Sequence, residues 1–417
     1  MPTIAGYFRR APAGWAVLLA LVSGVPASAQ SAPPIQGVTT TTEGLTLADT
    51  VTQLVRPVGA THVGEALGLA TALEVGTMPF GASSGGFVIK LDPATGLQVR
   101  TATTFGPSFA ERALTSGEGN VSVGVNYMSS TYDRLYKDSL DALQLRTVTA
   151  VSPKDSRSGV TDLELTANTV VISGRMGITD KLDVGVSVPL VTMKVKGTSS
   201  LSNGNGEILL FGQGSGTSSG LGDLTGLAKY RFYAFGTGQP DPGGLAVMVT
   251  MHFPTGDRDN LRGLGVTRTL ASFIVSSGVG RLRPHANVGY EWWSKGVGVP
   301  SDYAPNGSVE ARHQLEYAAG IEFEAAPKVT LLADLLGGQI FGGGRLAFQA
   351  DASTAPGVTS SGSLVALPEG ISRLSLAPGL KVNLKGKLLL SVNALVALRD
   401  TGLHARVTPV AGIDLTF

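Results

Sequence analysis

The chain has 417 residues, 56 of them glycine, with 43% hydrophobic and 15% charged residues, no cysteine and a formal net charge of +1. A balance this near neutral gives no electrostatic footing for a nucleic-acid partner, and the missing cysteines exclude a disulfide-held scaffold. No apolar run reaches the roughly 18 residues that a membrane-spanning helix needs.

The first element is "MPTIAGYFRRAPAGWAVLLALVSGVPASAQ". Its basic start at Arg9 and Arg10, its short apolar stretch from Gly14 to Val22 and its "ASA" before Gln30 have the form of a secretory signal peptide over residues 1–29. Without it the count is 30 basic against 31 acidic residues, a net −1. The mature protein is therefore expected to be exported and to carry no lipid-anchored thiol.

Residues 30–117 form the next region, expected in the periplasm or as a plug. Within it a hairpin is predicted from Phe87 to Lys90 and Gln98 to Thr101 around "DPATG", followed by a short helix from Pro107 to Leu114.

From about Glu118 to Phe417 period-2 alternation organises the chain. "GNVSVGVNYMS" sets Val121, Val123, Val125 and Tyr127 against Ser122, Gly124 and Asn126. "DLELTANTVVIS" sets Leu163, Leu165, Ala167, Thr169 and Val171 against Asp162, Glu164, Thr166 and Asn168. "LDVGVSVPL", "GDLTGLAKYRFYAF", "LAVMVTMHF", "TLASFIVSSGV", "HANVGYEWW", "HQLEYAAGIEFE", "KVTLLADLLGGQ", "RLSLAPGLKVN" and "KLLLSVNALVAL" continue the series, and "HARVTPVAGIDLTF" ends it. That makes about twelve strands, many as long as the roughly 9–11 residues a tilted strand needs to cross a bilayer.

Connections alternate in length. Short turns fall near Asp180, Gly238, Leu282, Ala326 and Leu384, and long loops at Ser130 to Val160, Gly197 to Gly220, Thr255 to Thr267, Ser294 to Arg312 and Phe341 to Gly370. Loops sorted by parity, with both ends of the strand series on the short side, are the plan of an outer-membrane barrel. The expected fold is thus all-β, a transmembrane antiparallel up-and-down barrel of about twelve strands, or about fourteen if the hairpin joins the wall.

One face of the alternation is apolar and is expected to meet lipid. The charges on the other face would line the lumen, and Lys229, Arg231, His252, His285, Glu291, Glu322, Arg373, Lys381 and Arg406 are the candidates for the substrate path, by polar contact or ion pairing. Acids and bases together argue for internal salt-bridge networks that partly close the pore.

Motifs for chemistry are weak. "GTSSG" at Gly216 matches a nucleophile-elbow pattern around Ser218, but no helix follows it. The histidines His62, His252, His285, His313 and His404 have no zinc-helix spacing. "TGDRDN" starts like a calcium loop but lacks its glycine and distal glutamate. No catalytic residue, metal or cofactor is expected.

"GLGDLTGLAKYRFY", "FPTGDRDNLRGLG" and "PHANVGYEWW" resemble the outer-membrane barrels of the phenol-degradation meta-pathway (MetA) type, akin to the long-chain fatty-acid channels. The likeness is clearest from Gly220 to Trp293 and weaker through to Phe417. It implies passive uptake of small, often hydrophobic or aromatic molecules through the outer membrane; a structural or surface-interaction barrel is the alternative. In the fatty-acid channel group an N-terminal segment plugs the lumen, so residues 30–117 could be a plug, a periplasmic lid or two extra strands. The ending with Ile413, Leu415 and Phe417 resembles the signal read by the barrel-assembly machinery. That machinery, outer-membrane lipid and a small-molecule substrate are the expected partners.

Overall fold

A computed structural model describes residues 45–58, 61–80, 89–91, 98–100, 104–236, 243–301, 304, 306–351, 355–384 and 387–417. The expected signal peptide over residues 1–29 and the expected turn at Gly238 lie outside them.

Twelve strands form a closed antiparallel barrel: β1 Val121–Tyr132, β2 Arg157–Gly177, β3 Leu182–Asn203, β4 Leu224–Ala234, β5 Gly243–Phe253 and β6 Arg268–Ser277, then β7 Leu282–Trp293, β8 Ser308–Ala326, β9 Val329–Phe341, β10 Ile371–Asn383, β11 Leu388–Ala397 and β12 Val407–Thr416. Each pairs with the next along the chain, and β12 returns to β1 with Ile413 opposite Val125 and Leu415 opposite Val123. The Phe417 N–H donates to the Val121 carbonyl at 2.8 Å, so the seam is paired to the last residue. The hairpin is present as Ile89–Leu91 against Gln98–Arg100, and it pairs only with itself. It adds no strand to the wall.

Alternation decides which side chains meet the outside. On β1, β3, β5 and β12 the apolar alternates point outward as expected: Val123, Val186, Val249 and Ile413 are exposed, while Asn126, Asp183, Thr250 and Asp414 are buried within. Tyr230, Phe253, Phe273, Trp292, Phe323 and Phe417 are also exposed on the outer wall, where a ring is well placed at a lipid interface.

β2 corrects the expectation. Leu163, Leu165, Ala167, Thr169 and Val171 point inward and are buried, while Asp162 and Glu164 are exposed on the outer face. The reason lies in length: β2 has 21 residues and β3 has 22, about twice what a bilayer requires. Their long-loop halves project past the apolar belt, where water lies outside and an apolar core lies inside.

That projecting storey also replaces most of the expected loops. Leu143–Ala150 and Val358–Leu367 pair with each other, Leu143–Ala150 also pairs with β2, Ile208–Leu221 pairs with β3, and Arg345–Ala350 pairs with Val358–Leu367.

Inside this storey lie two helices that the sequence reading did not anticipate, α1 Leu47–Val55 and α2 Thr61–Gly76. Thr46 caps α1, its hydroxyl accepting from the Asp49 N–H at 3.1 Å, which satisfies one orphan donor of the first turn. From Ala66 to Leu73 α2 has no polar face, with Leu67, Leu69, Ala70, Ala72 and Leu73 all buried and the Thr71 hydroxyl donating to the Leu67 carbonyl. A helix hydrophobic all round belongs inside a core, and this one is packed with Tyr132, Leu145, Leu165, Val195, Val299 and Leu364 from the surrounding sheet. The helices approach so closely that a Cβ at Gly64 would lie 2.6 Å from Thr52 Cα.

Candidate functional site

Below the helices the lumen is filled by the rest of the N-terminal segment. Residues 105–116 form no helix, contrary to the expectation for Pro107 to Leu114. A buried backbone must place its hydrogen bonds somewhere, and here lumen side chains take them. Phe105 N–H donates to Thr330 Oγ1 at 3.2 Å and Gly106 N–H to Glu322 Oε2 at 2.9 Å. Asp334 Oδ2 accepts from the Ser108 and Phe109 N–H groups at 3.1 and 3.0 Å. Asn287 accepts from the Glu111 N–H and donates to its carbonyl, both at 2.7 Å. Ala113 N–H donates to Ser276 Oγ at 3.0 Å, and Ser116 N–H to Asp183 Oδ1 at 2.9 Å. In return Lys381 donates to the Pro107 carbonyl at 2.7 Å.

Charge completes the fastening. Glu111 accepts from Arg175 at 2.5 and 3.1 Å and from Lys229 at 3.2 Å. Lys229 also donates to the Leu114 carbonyl at 2.8 Å. His285 Nε2 hydrogen-bonds Asp334 Oδ1 at 2.9 Å, and Arg112 lies 3.9 Å from Glu322. With the Ser108 hydroxyl, which donates to Asn393 Oδ1, these contacts come from nine of the twelve strands, so the lumen charges act as a cradle for the chain's own N-terminal segment.

A second network holds the lower end of α2. Arg268 donates to the Gly76 carbonyl at 2.7 Å and to Glu291 at 3.2 Å, and lies 3.7 Å from Asp223. A cation there complements the carbonyl end of a helix. Arg373 pairs with Glu74 at 3.0 Å and bonds the Thr77 hydroxyl. His252 lies 3.6 Å from Glu291, which also accepts from the Trp293 indole at 2.6 Å.

Between the two fillings lies a chamber of about 290 Å³. Met78, Phe80, Phe109, Leu227, Met248 and Leu270 give it apolar walls, and Arg268, His252, Glu316, Gln314 and Arg373 give it one polar side.

The predicted lumen residues therefore divide. Lys229, Glu322 and Lys381 bind the lumen segment and His285 holds Asp334, which binds it, while His252, Glu291 and Arg373 border the chamber or hold its edge. Arg231 instead donates to the Asp180 carbonyl at the short-turn rim, at 3.3 Å. Arg406 pairs with Asp133 at 3.4 Å on the exposed long-loop end. Both lie outside the lumen wall, because their strands end near them and the rim is open to water. Sequence reasoning placed Asp334 on the lumen face but missed Glu111, Arg112, Arg175 and Arg268. Arg175 and Arg268 sit at strand ends, and the N-terminal residues lie in a stretch with no periodicity to assign them a face.

The polar turn "TGDRDN" is occupied by its own chain. Asp257 accepts from the Asp259 and Asn260 N–H groups at 3.0 and 3.2 Å, and from the Asn260 amide at 2.7 Å. The turn in turn receives α1: Ala48 N–H donates to the Asp259 carbonyl at 2.9 Å. Among the described residues no group of three or more side chains is arranged to hold a metal ion.

Fold and site define a transmembrane-type β-barrel of twelve strands whose lumen is filled by its own N-terminal segment. The chain belongs to the family described as the putative MetA-pathway of phenol degradation, whose family model matches residues 146–354. No curated protein matches it in sequence. Among solved structures it is similar to an outer-membrane channel from Pseudomonas putida F1, at 15% identity over 73% of this chain and 98% of that one, with a TM-score of 0.44. A FadL homologue from Pseudomonas aeruginosa is similar at 13% identity over 83% and 97%, with a TM-score of 0.31. The NanC porin is similar at 10% over 66% and 99%, with a TM-score of 0.34.

Proposed function

We propose that the protein is an outer-membrane channel for passive uptake of small, apolar or aromatic molecules, with residues 45–58, 61–80 and 104–116 forming its internal plug. The chamber is the observation that carries this reading: it is mostly apolar, has one polar side, and lies inside the barrel between the helical filling and residues 105–116. The outward apolar face supports the membrane location, since Lys or Arg at lipid midplane would cost roughly 2–4 kcal/mol each. Passage then requires the segment to shift, and its fastening by many separate polar contacts suits a filling that can loosen one bond at a time.

A tether tests it. Ser108 Oγ lies 2.7 Å from Asn393 Oδ1, and the chain has no cysteine to interfere. The double variant Ser108→Cys with Asn393→Cys, oxidised, is expected to stop uptake of a small aromatic alcohol into proteoliposomes, and reduction to restore it. Equal uptake in both redox states would refute a moving plug. A structural or surface-interaction barrel is the competing reading, favoured by the filling of both ends of the lumen. No uptake even after deletion of residues 104–116 would establish that reading instead.

A further inference from the structure

The chamber has one carboxylate that the rest of its wall leaves over. Its three guanidinium groups are all engaged by other acids: Arg175 with Glu111, Arg268 with Glu291 and Asp223, and Arg373 with Glu74. Glu316 borders the same space, yet its side chain makes no hydrogen bond or ion pair among the described residues. Its two cross-strand neighbours are Gly289 on β7 and Gly338 on β9. Ser272 and Leu270 stand over Gly289 and the Gln314 amide over Gly338, and between them the carboxylate borders the chamber. Two residues along the same face, Gln314 is 4% exposed and its Oε1 is buried without a partner. Carboxylate and amide oxygen together are acceptors awaiting a donor.

We infer that Glu316 is the anchor of a binding site for a small apolar molecule carrying a protonated amine, the ammonium meeting Glu316 and Gln314 while the hydrocarbon body lies against Phe80, Phe109 and Met248. Ammonium is the complementary head because it is cationic and donor-only, with three N–H groups, and charge-assisted bonds in a water-poor site are the stronger kind. A carboxylate ligand would add like charge beside Glu316 and find every arginine engaged. A neutral alcohol can donate once and gains no charge pairing. The inference rests on the channel reading above for how the ligand arrives, but binding can be measured apart from passage.

The test compares benzylamine, benzyl alcohol and benzoate, titrated calorimetrically into the full-length protein in detergent near neutral pH, for wild type, Glu316→Gln and Gly338→Ala. The wild type is expected to bind benzylamine at least tenfold more tightly than benzyl alcohol, and benzoate least. Glu316→Gln keeps the shape and removes the charge, so it should cut benzylamine affinity roughly tenfold or more while leaving the alcohol unchanged. Gly338→Ala narrows the space and should weaken both. The wild-type comparison needs no variant to fold. Equal binding of amine and alcohol, no amine binding, or an unchanged amine affinity in Glu316→Gln would each overturn the assignment. Uptake of benzyl alcohol into proteoliposomes reports separately on the channel: uptake without amine preference sinks this inference alone, and no uptake of any probe sinks the channel reading.

Discussion

Arg175 on β2 grips Glu111 of the lumen segment with both terminal nitrogens, at 2.5 and 3.1 Å, and both side chains are largely shielded from water. One belongs to the wall and the other to the filling, so the pair joins two parts of the chain 64 residues apart. Removing one partner of a buried pair leaves an uncompensated charge, at a cost of about 3–5 kcal/mol. Arg175→Met should therefore free residues 105–116 while leaving the wall intact. Hydrogen–deuterium exchange would show faster exchange in that segment and unchanged protection in β7 to β9; uniform loss of protection would contradict the division between wall and filling.

Between its polar fastenings at the two ends, the helical filling is held by apolar packing, so variants in its middle turns should behave like core variants. Leu73 is fully buried in the cluster that joins α2 to the surrounding sheet, and Leu73→Ala is expected to cost about 2–5 kcal/mol. Gly64→Val should be worse than Gly64→Ala, because the clash falls on the Thr52 backbone, which cannot swing aside. Thermal unfolding followed by near-ultraviolet circular dichroism ranks the three.

Deleting Phe417 should impair insertion more than deleting a long-loop segment of the same size. Its N–H closes the seam onto Val121 and its ring is exposed at the short-turn rim. The fraction of heat-modifiable, folded barrel recovered from outer-membrane fractions measures this. Normal recovery would remove the assembly role of Ile413, Leu415 and Phe417.

Acid should loosen the seat of α1. Burial works against the charged form of Asp257, but hydrogen bonds from Asn260 and the Asp259 N–H, with Arg262 nearby, outweigh it and hold the carboxyl below its usual range. Because the folded value is depressed, this contribution is present above the unfolded value of about 3.9 and is lost as pH falls through the lower folded one. Exchange at Leu47 and Ala48 should quicken on acidification, and Asp257→Asn should show the quicker exchange already at neutral pH.

The sequence exposed the wall and concealed the filling, and the difference is physical. A strand that separates lipid from a polar lumen must alternate, so Val121 to Tyr127, Leu182 to Leu190 and Ile413 to Phe417 declared both their conformation and their faces. Above the membrane the same alternation carries no sign, because an apolar residue there points inward to α1 and α2; Leu163 and Leu165 were misread for that reason. Helix α2 shows no 3.6-residue contrast, since from Ala66 to Leu73 every side of it is buried, and only its run of alanine and leucine hinted at a helix. Residues 105–116 have no period at all, because their partners are side chains on nine strands scattered along the sequence.

What the sequence determined by itself was therefore the closed antiparallel wall, its strand number except for the hairpin that could have added two, and most of its lipid-facing residues, all consequences of local alternation and connection length. What only the tertiary structure decided was the destination of the charges. Arg175, Lys229, Glu322, Asp334 and Lys381 spend their hydrogen bonds on the chain's own N-terminal segment, and Glu316, set between Gly289 and Gly338, is left facing the chamber. Pairings between residues 64 to 274 positions apart follow from barrel closure and register, and no local pattern encodes them.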